Sequence, residues 1–136
     1  MKKKIFIVLG IIIVLALGIT AYIVKNKSGY SLTITNKTKK EITGLQISYG
    51  NNSYNLDVPS IAPNKSVSMR IKTNTNGSLF MYYTDIIGNY HKEILSGYYQ
   101  KGAKGKINVN ITAQDNLGVY GIEVESPEAE QDVNGK

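Results

Sequence analysis

The chain has 136 residues, enough for one domain plus an appendage; 42% are hydrophobic and 19% charged, with a formal net charge of +6. With no cysteine and a single histidine, it cannot form disulfides, use a thiolate, or build a zinc site from several Cys and His ligands. The positive charge is uneven: residues 30–122 carry ten basic and five acidic side chains, residues 123–136 one basic and five acidic.

A basic head, MKKK (1–4), precedes IFIVLGIIIVLALGITAYIV (5–24), which holds neither a charge nor a proline. At about 1.5 Å per helical residue this run covers about 30 Å, the hydrocarbon thickness of a bilayer. Lipid offers the backbone no hydrogen-bond partner, so an inserted segment must be helical. A cleaved signal peptide also has a basic start, and Ala16-Leu17-Gly18 and Ile19-Thr20-Ala21 loosely resemble cleavage sites. The apolar run continues unbroken past both to Val24, which favours an uncleaved single-pass signal anchor; cleavage would leave a secreted domain. Lys2, Lys3 and Lys4 place the head in the cytoplasm and the remainder outside. Lys25, Lys27, Lys37, Lys39 and Lys40 oppose that count, and the expectation of an extracytoplasmic domain rests on the basic head before an apolar run.

Residues 25–29 read as a short linker. From Tyr30 to Glu125 apolar and polar residues alternate with period two, the mark of half-buried strands. The segments are YSLTIT (30–35), GLQISY (44–49), YNLDV (54–58), SVSMRI (66–71), SLFMYYT (78–84), a mixed run over 89–95, KINVNIT (106–112) and VYGIEVE (119–125). SLFMYYT is apolar on both faces, as suits a central strand. Asn-, Gly- and Pro-containing turns interrupt the pattern about every ten residues. The spacing predicts an all-β domain, an antiparallel Ig-like β-sandwich of seven or eight strands, after one transmembrane helix. ESPEAEQDVNGK (125–136) is acidic and aperiodic, so residues 126–136 read as a disordered tail.

The runs LTITNKTKKEITGLQISY, VPSIAPNKSVSMRI and YYTDIIGNYHKEILSGYY resemble small extracytoplasmic Ig-like β-sandwich proteins of Gram-positive bacteria. A strand ending in Asn-x-Thr, a Pro-x-Lys-Ser loop opening a later strand, and a Tyr-x-Asp…Gly hairpin before a Gly-Tyr strand carry the likeness over most of residues 30–125. The resemblance implies a fold and a location; its motifs are turn punctuation and imply no activity.

Catalytic residue types gather only around His91. In a strand His91 and Glu93 share one side about 6.5–7 Å apart, and Asp85 lies across the Ile86–Asn89 turn. A zinc site needs three or four ligands, and here one histidine and two carboxylates are the most that can meet. Ser96, Ser78 or a threonine would have to serve a His91 base as nucleophile, and no serine lies in a Gly-x-Ser-x-Gly elbow. Glu41, Asp57, Asp85, Glu93 and Asp115 are too scattered for a glycosidase pair. His91 is therefore expected to be a solvated hairpin residue, with no catalytic residue, metal or cofactor assigned.

The segment GYYQKGAKGK (97–106) is the better recognition candidate. Lys101, Lys104 and Lys106 supply charge, glycines allow close backbone approach, and Tyr98 and Tyr99 offer stacking faces. Tyr82 and Tyr83 form a second pair. In a strand each pair places one ring on either face, so one should be core and the other outside. The leading expectation is a non-enzymatic envelope interaction module with a protein partner, an assembly component or an immunity-type blocker, its interface made by the exposed tyrosines and the 97–106 loop. The second reading is a binding module for cell-wall glycan or anionic polymer through that loop; the third is a hydrolase centred on His91. Nucleic acid is not an expected partner, since no groove-reading motif accompanies the pI of about 9.4. The oligomeric state is not readable. The Asn-x-Ser/Thr sequences at Asn36, Asn51, Asn64, Asn76 and Asn110 read as turn residues.

Overall fold

A computed structural model describes residues 2–25 and 28–127. Helix α1 (Lys2–Lys25) is followed by strands β1 (Gly29–Asn36), β2 (Gln46–Tyr49), β3 (Tyr54–Asp57), β4 (Ser66–Ile71), β5 (Gly77–Thr84), β6 (Tyr90–Tyr99), β7 (Lys104–Gln114) and β8 (Tyr120–Glu125). The described side chains of α1 are all exposed, and the helix is long and apolar enough to cross a membrane. Thr20 turns its hydroxyl back onto the Ala16 carbonyl at 2.5 Å, which satisfies a polar group that lipid would leave unpaired.

Two four-stranded sheets, β4-β1-β7-β8 and β3-β2-β5-β6, share one core. Leu32 and Ile34 of β1, Ile71 of β4, and Ile107, Val109 and Ile111 of β7 are buried from one sheet. Ile47 of β2, Leu79, Met81 and Tyr83 of β5, and Leu95 and Tyr99 of β6 are buried from the other. Each fully buried Leu or Ile contributes about 1.5–3 kcal/mol relative to exposure. Alternation in the sequence thus becomes alternation between core and solvent.

The sheet containing β1 is mixed, which corrects the antiparallel expectation: β1 runs parallel to β7, with Gly29 opposite Lys104 and Asn36 opposite Ile111. A parallel pair needs a crossover, and here the chain supplies it by passing through the opposite sheet twice before returning as β7. Strand direction then sorts the connections. The β2–β3 turn, the β4–β5 loop and the β6–β7 turn lie at the end where β1 begins, called the helix-proximal end. The loops between β1 and β2 and between β3 and β4, and the β5–β6 and β7–β8 turns, lie at the distal end.

Asn36 closes the distal end. Its buried amide donates to the carbonyls of Lys40 (2.7 Å) and Ile61 (2.9 Å), and its carbonyl accepts from the Thr38 backbone N–H (2.8 Å) and hydroxyl (2.7 Å). The Asn-x-Thr sequence is therefore a loop clamp. Asn51 and Asn64 sit in turns with φ of 57° and 59°, which asparagine tolerates better than most residues. Gly29 is the first residue of β1 rather than the last of a linker, and the last strand, β8, ends at Glu125. Residues 26–27 of that linker, and the expected tail from residue 128 onward, lie outside the described residues.

Candidate functional site

Two distal turns share one construction that the sequence writes as DIIGN (85–89) and DNLGV (115–119). In the first, Asp85 Oδ1 accepts the backbone N–H of Ile87 (3.1 Å) and of Asn89 (2.8 Å), and the Asp85 N–H donates to the Asn89 carbonyl (2.9 Å). In the second, Asp115 Oδ1 accepts the N–H of Leu117 and of Val119, both at 2.8 Å, and the Asp115 N–H donates to the Val119 carbonyl at 3.0 Å. Gly88 (φ 91°) and Gly118 (φ 80°) complete each turn in the left-handed region. The Ile86 N–H bonds the Leu117 carbonyl at 3.0 Å, so the turns brace each other and hold Ile86, Ile87 and Leu117 out into solvent. Local side-chain capture of backbone N–H groups is what aspartate does well at turns.

Asp85 also holds the histidine. Asp85 Oδ2 lies 3.0 Å from His91 Nε2 and accepts from the Asn89 side-chain amide at 3.1 Å. The hydrogen bond from His91, together with those from Asn89 and Ile87, pulls the Asp85 carboxyl down from 3.8 to about 2 against the opposing effect of burial. An ionised carboxylate only accepts, so the proton of this contact sits on Nε2 and Nδ1 is the atom left over. The His91 ring stacks on Tyr83 (4.7 Å between centroids, 10° between planes), and Tyr83 packs on Tyr120 at 4.6 Å and accepts the Tyr120 backbone N–H at 3.1 Å. Burial pushes the Tyr83 phenol above its usual range, so it stays protonated at neutral pH. His91 is thus not a freely solvated hairpin residue: its side chain is 27% exposed and fixed on two sides. Tyr83 stands opposite His91 across the β5–β6 ladder. Ser78 lies five residues from Tyr83, and Ser96 five from His91, about 16 Å along the strands. No group of three metal-ligating side chains gathers among the described residues.

The outer face of β5 and β6 carries a second constellation. Tyr82 stacks on Tyr90 (5.2 Å, 25°), Phe80 lies 6.2 Å from Tyr82, and Lys92 Nζ sits 3.8 Å above the Phe80 ring. Tyr90 and Ile94 are exposed by 66% and 63%. A shallow groove of about 350 Å³ runs beside them, lined by Tyr82, Thr84, Tyr90, Gln46, Asp57 and neighbours; Gln46 Nε2 donates to Asp57 Oδ1 at 2.8 Å on its rim. The β5–β6 hairpin therefore presents aromatic and aliphatic surface from its outer face to the Ile86–Ile87 tip.

The structure separates the residues expected to act together. Tyr83 and Tyr99 are core residues, 3% exposed each, and are withdrawn from any surface site. Tyr99 meets Tyr30 edge-on at 5.7 Å and accepts the Gly50 N–H at 3.0 Å. Tyr82 is half-buried and Tyr98 is exposed, both facing outward. The segment 97–106 is not one loop: Gly97–Tyr99 end β6, Lys104–Lys106 begin β7, and residues 100–103 alone form the turn between the sheets. Lys101, Lys104 and Lys106 are exposed at the helix-proximal end, and the aromatic hairpin face runs toward the opposite end. Missed in sequence were Phe80, Tyr90 and Ile94, which stand in runs without a clear alternation, and the paired D-x-Ile/Leu-G turns, whose repetition was the available signal.

No family model and no curated protein matches the chain. Among solved structures, the NMR structure of a protein from Eubacterium rectale is similar, with a TM-score of 0.50 at 12% identity; the match covers 76% of this chain and 94% of that one. At that identity the likeness speaks to the fold alone. Chemistry has to be argued from this chain's own side chains.

Proposed function

We propose that this chain is a non-enzymatic, membrane-anchored interaction module whose Ig-like sandwich stands outside the cytoplasmic membrane and binds a protein of the envelope, as an assembly component or as an immunity-type blocker. The interface is the outer face and tip of the β5–β6 hairpin. One observation carries this reading: Phe80, Tyr82, Tyr90 and Ile94 form an ordered aromatic and aliphatic surface on rigid strands, with Ile86 and Ile87 exposed at the adjoining turn. Rigid aromatic rings give contact area at low entropic cost, and such residues dominate interface energetics. The long apolar run within α1 supports the anchor. The fixed Asp85–His91 pair reads as a turn support, because its carboxylate is consumed by backbone N–H groups.

The test is site-specific photo-crosslinking of the full-length protein in native membranes. A crosslinker at Tyr90 should trap one defined protein that a crosslinker at Thr33, on the outer face of the other sheet, does not. Ile94→Glu, at an exposed position, should abolish that product while leaving the melting temperature unchanged. Equal trapping from both faces, or a product that survives Ile94→Glu, removes the reading. The alternative ligand, an anionic envelope polymer or glycan held by Lys101, Lys104 and Lys106, is favoured by the clustering of cations at one end of the sandwich.

A further inference from the structure

The cationic end is also the end from which the chain leaves the anchor. Gly29, the first residue of β1, stands opposite Lys104, and Ser31 stands opposite both Lys106 and Arg70; Lys72 follows Ile71, the partner of Tyr30. Lys101 lies in the turn between β6 and β7, and all five side chains are exposed. Four Cα–Cα steps of 3.80 Å join Lys25 to Gly29, so the first strand begins within about 15 Å of the helix end. The polar headgroup layer is about 5–8 Å deep on each side of the bilayer, and charges act over about 8 Å beyond it at physiological salt. By contrast Lys37, Lys39 and Lys40, close to the helix in sequence, are carried about 26 Å away by the length of β1.

The end is a rigid platform. The Gly29 N–H bonds the Ala103 carbonyl at 2.8 Å, which also accepts the Thr73 hydroxyl at 2.7 Å. The Gly102 N–H bonds the Thr73 carbonyl at 2.8 Å, the Lys101 N–H bonds Asn76 Oδ1 at 2.7 Å, and Arg70 Nη2 bonds the Ser28 carbonyl at 3.0 Å. Chain exit, loop and turn are thereby tied together. None of Lys72, Lys101, Lys104 and Lys106 is ion-paired among the described residues; the carboxylate placed nearest by register is Glu125, opposite Asn108.

We infer that this end is a docking surface for anionic lipid headgroups, on which Lys72, Lys101, Lys104 and Lys106 seat the sandwich against the bilayer that holds its anchor. The inference rests on α1 being an inserted anchor. Each lysine near an anionic surface strengthens the attraction about fivefold and loses it with added salt. Seated this way, the domain is fixed upright, and the β5–β6 turn points away from the membrane.

The experiment uses the full chain in vesicles of phosphatidylcholine with and without phosphatidylglycerol. Because the sequence has no cysteine, Gln100→Cys and Thr43→Cys each give a unique labelling site, at the proximal and distal ends. Quenching of a fluorophore at position 100 by headgroup-labelled lipid should rise severalfold with phosphatidylglycerol, and fall back with high salt or with combined Lys→Ala changes at 72, 101, 104 and 106. Position 43 should not respond. Extraction of the chain by carbonate overturns the anchor reading and this inference with it. Carbonate resistance with lipid-independent quenching at position 100 overturns this inference alone. Two further results also overturn it: a soluble glycerol-phosphate polymer bound as tightly in zwitterionic vesicles, which makes the polymer the occupant, or a lipid response seen only after residues 128–136 are deleted, which makes the acidic segment the occupant.

Discussion

Replacing Asn36 with alanine tests whether the distal clamp holds the sandwich closed. The side chain is fully buried and makes four hydrogen bonds, to Lys40, Ile61 and twice to Thr38. At about 1 kcal/mol net each, their loss would cost about 4 kcal/mol. Two carbonyls keep another donor, since Ile61 still accepts the Ile42 N–H and Lys40 lies 3.0 Å from the Thr38 hydroxyl. The expected loss is therefore about 2–3 kcal/mol, a fall in Tm of roughly 10–20 °C for a domain of this size. Asn36→Asp keeps the shape but sets a carboxylate against two carbonyls, so it should be worse than alanine at neutral pH. Its folded-state pKa would be raised, and the deficit should shrink as pH falls and the acid becomes a donor. Urea unfolding of the full-length protein in detergent, followed by near-ultraviolet circular dichroism of the buried tyrosines, measures both. A loss under about 0.5 kcal/mol for alanine, or an aspartate variant that is pH-independent and no worse, refutes the clamp.

Tyr99→Phe leaves the Gly50 N–H without its acceptor and should lower stability by about 1–3 kcal/mol in the same assay. Gly77→Ala would set a Cβ 2.8 Å from the Gly50 Cα and 2.9 Å from the Asn51 nitrogen, backbone atoms that cannot rotate away, so a loss of about 1–3 kcal/mol is expected. Because the Asp85 carboxyl falls from 3.8 unfolded to about 2 folded, its stabilisation is complete above pH 4 and is lost as pH drops toward 2. Denaturation midpoints measured across that window should decline in the native protein and decline less in His91→Gln, which removes the largest cause of the shift; identical slopes would disprove the coupling.

Most of the strands were legible because they carry an apolar face of period two, which the core buries; the region of β6 showed only a mixed run. Strand order was not legible, because the β1–β7 pairing joins residues 75 positions apart and nothing local encodes it. The tyrosine pairs show the same limit at the level of a side chain. Alternation requires one ring inside, but SLFMYYT is apolar on both faces and leaves the phase open until the partner strands are known. Gly105 concealed the start of β7: it reads as a loop glycine, yet it lies within the strand where an added Cβ would meet Pro127 Cγ at 2.6 Å. Residues 97–106 read as one loop for that reason, and the aromatic face of β5 and β6 carried no signal because Phe80, Tyr90 and Ile94 stand in segments that do not look like a motif.

The parallel pairing of β1 and β7 has a mechanical consequence. A partner gripping the distal tip while α1 is held would pull β1 along its own axis, between β4 on one side and β7 on the other. Under that geometry the ladder bonds on both edges share the load and must yield together, as in a lap joint, rather than opening one after another like a zip. Tension drawn between residues 29 and 87 should therefore meet a higher rupture force than tension drawn across the β7–β8 edge; equal forces in a single-molecule pulling experiment would contradict it. A helix joined to its domain through a central strand loads that strand in shear, the direction in which a sheet resists best.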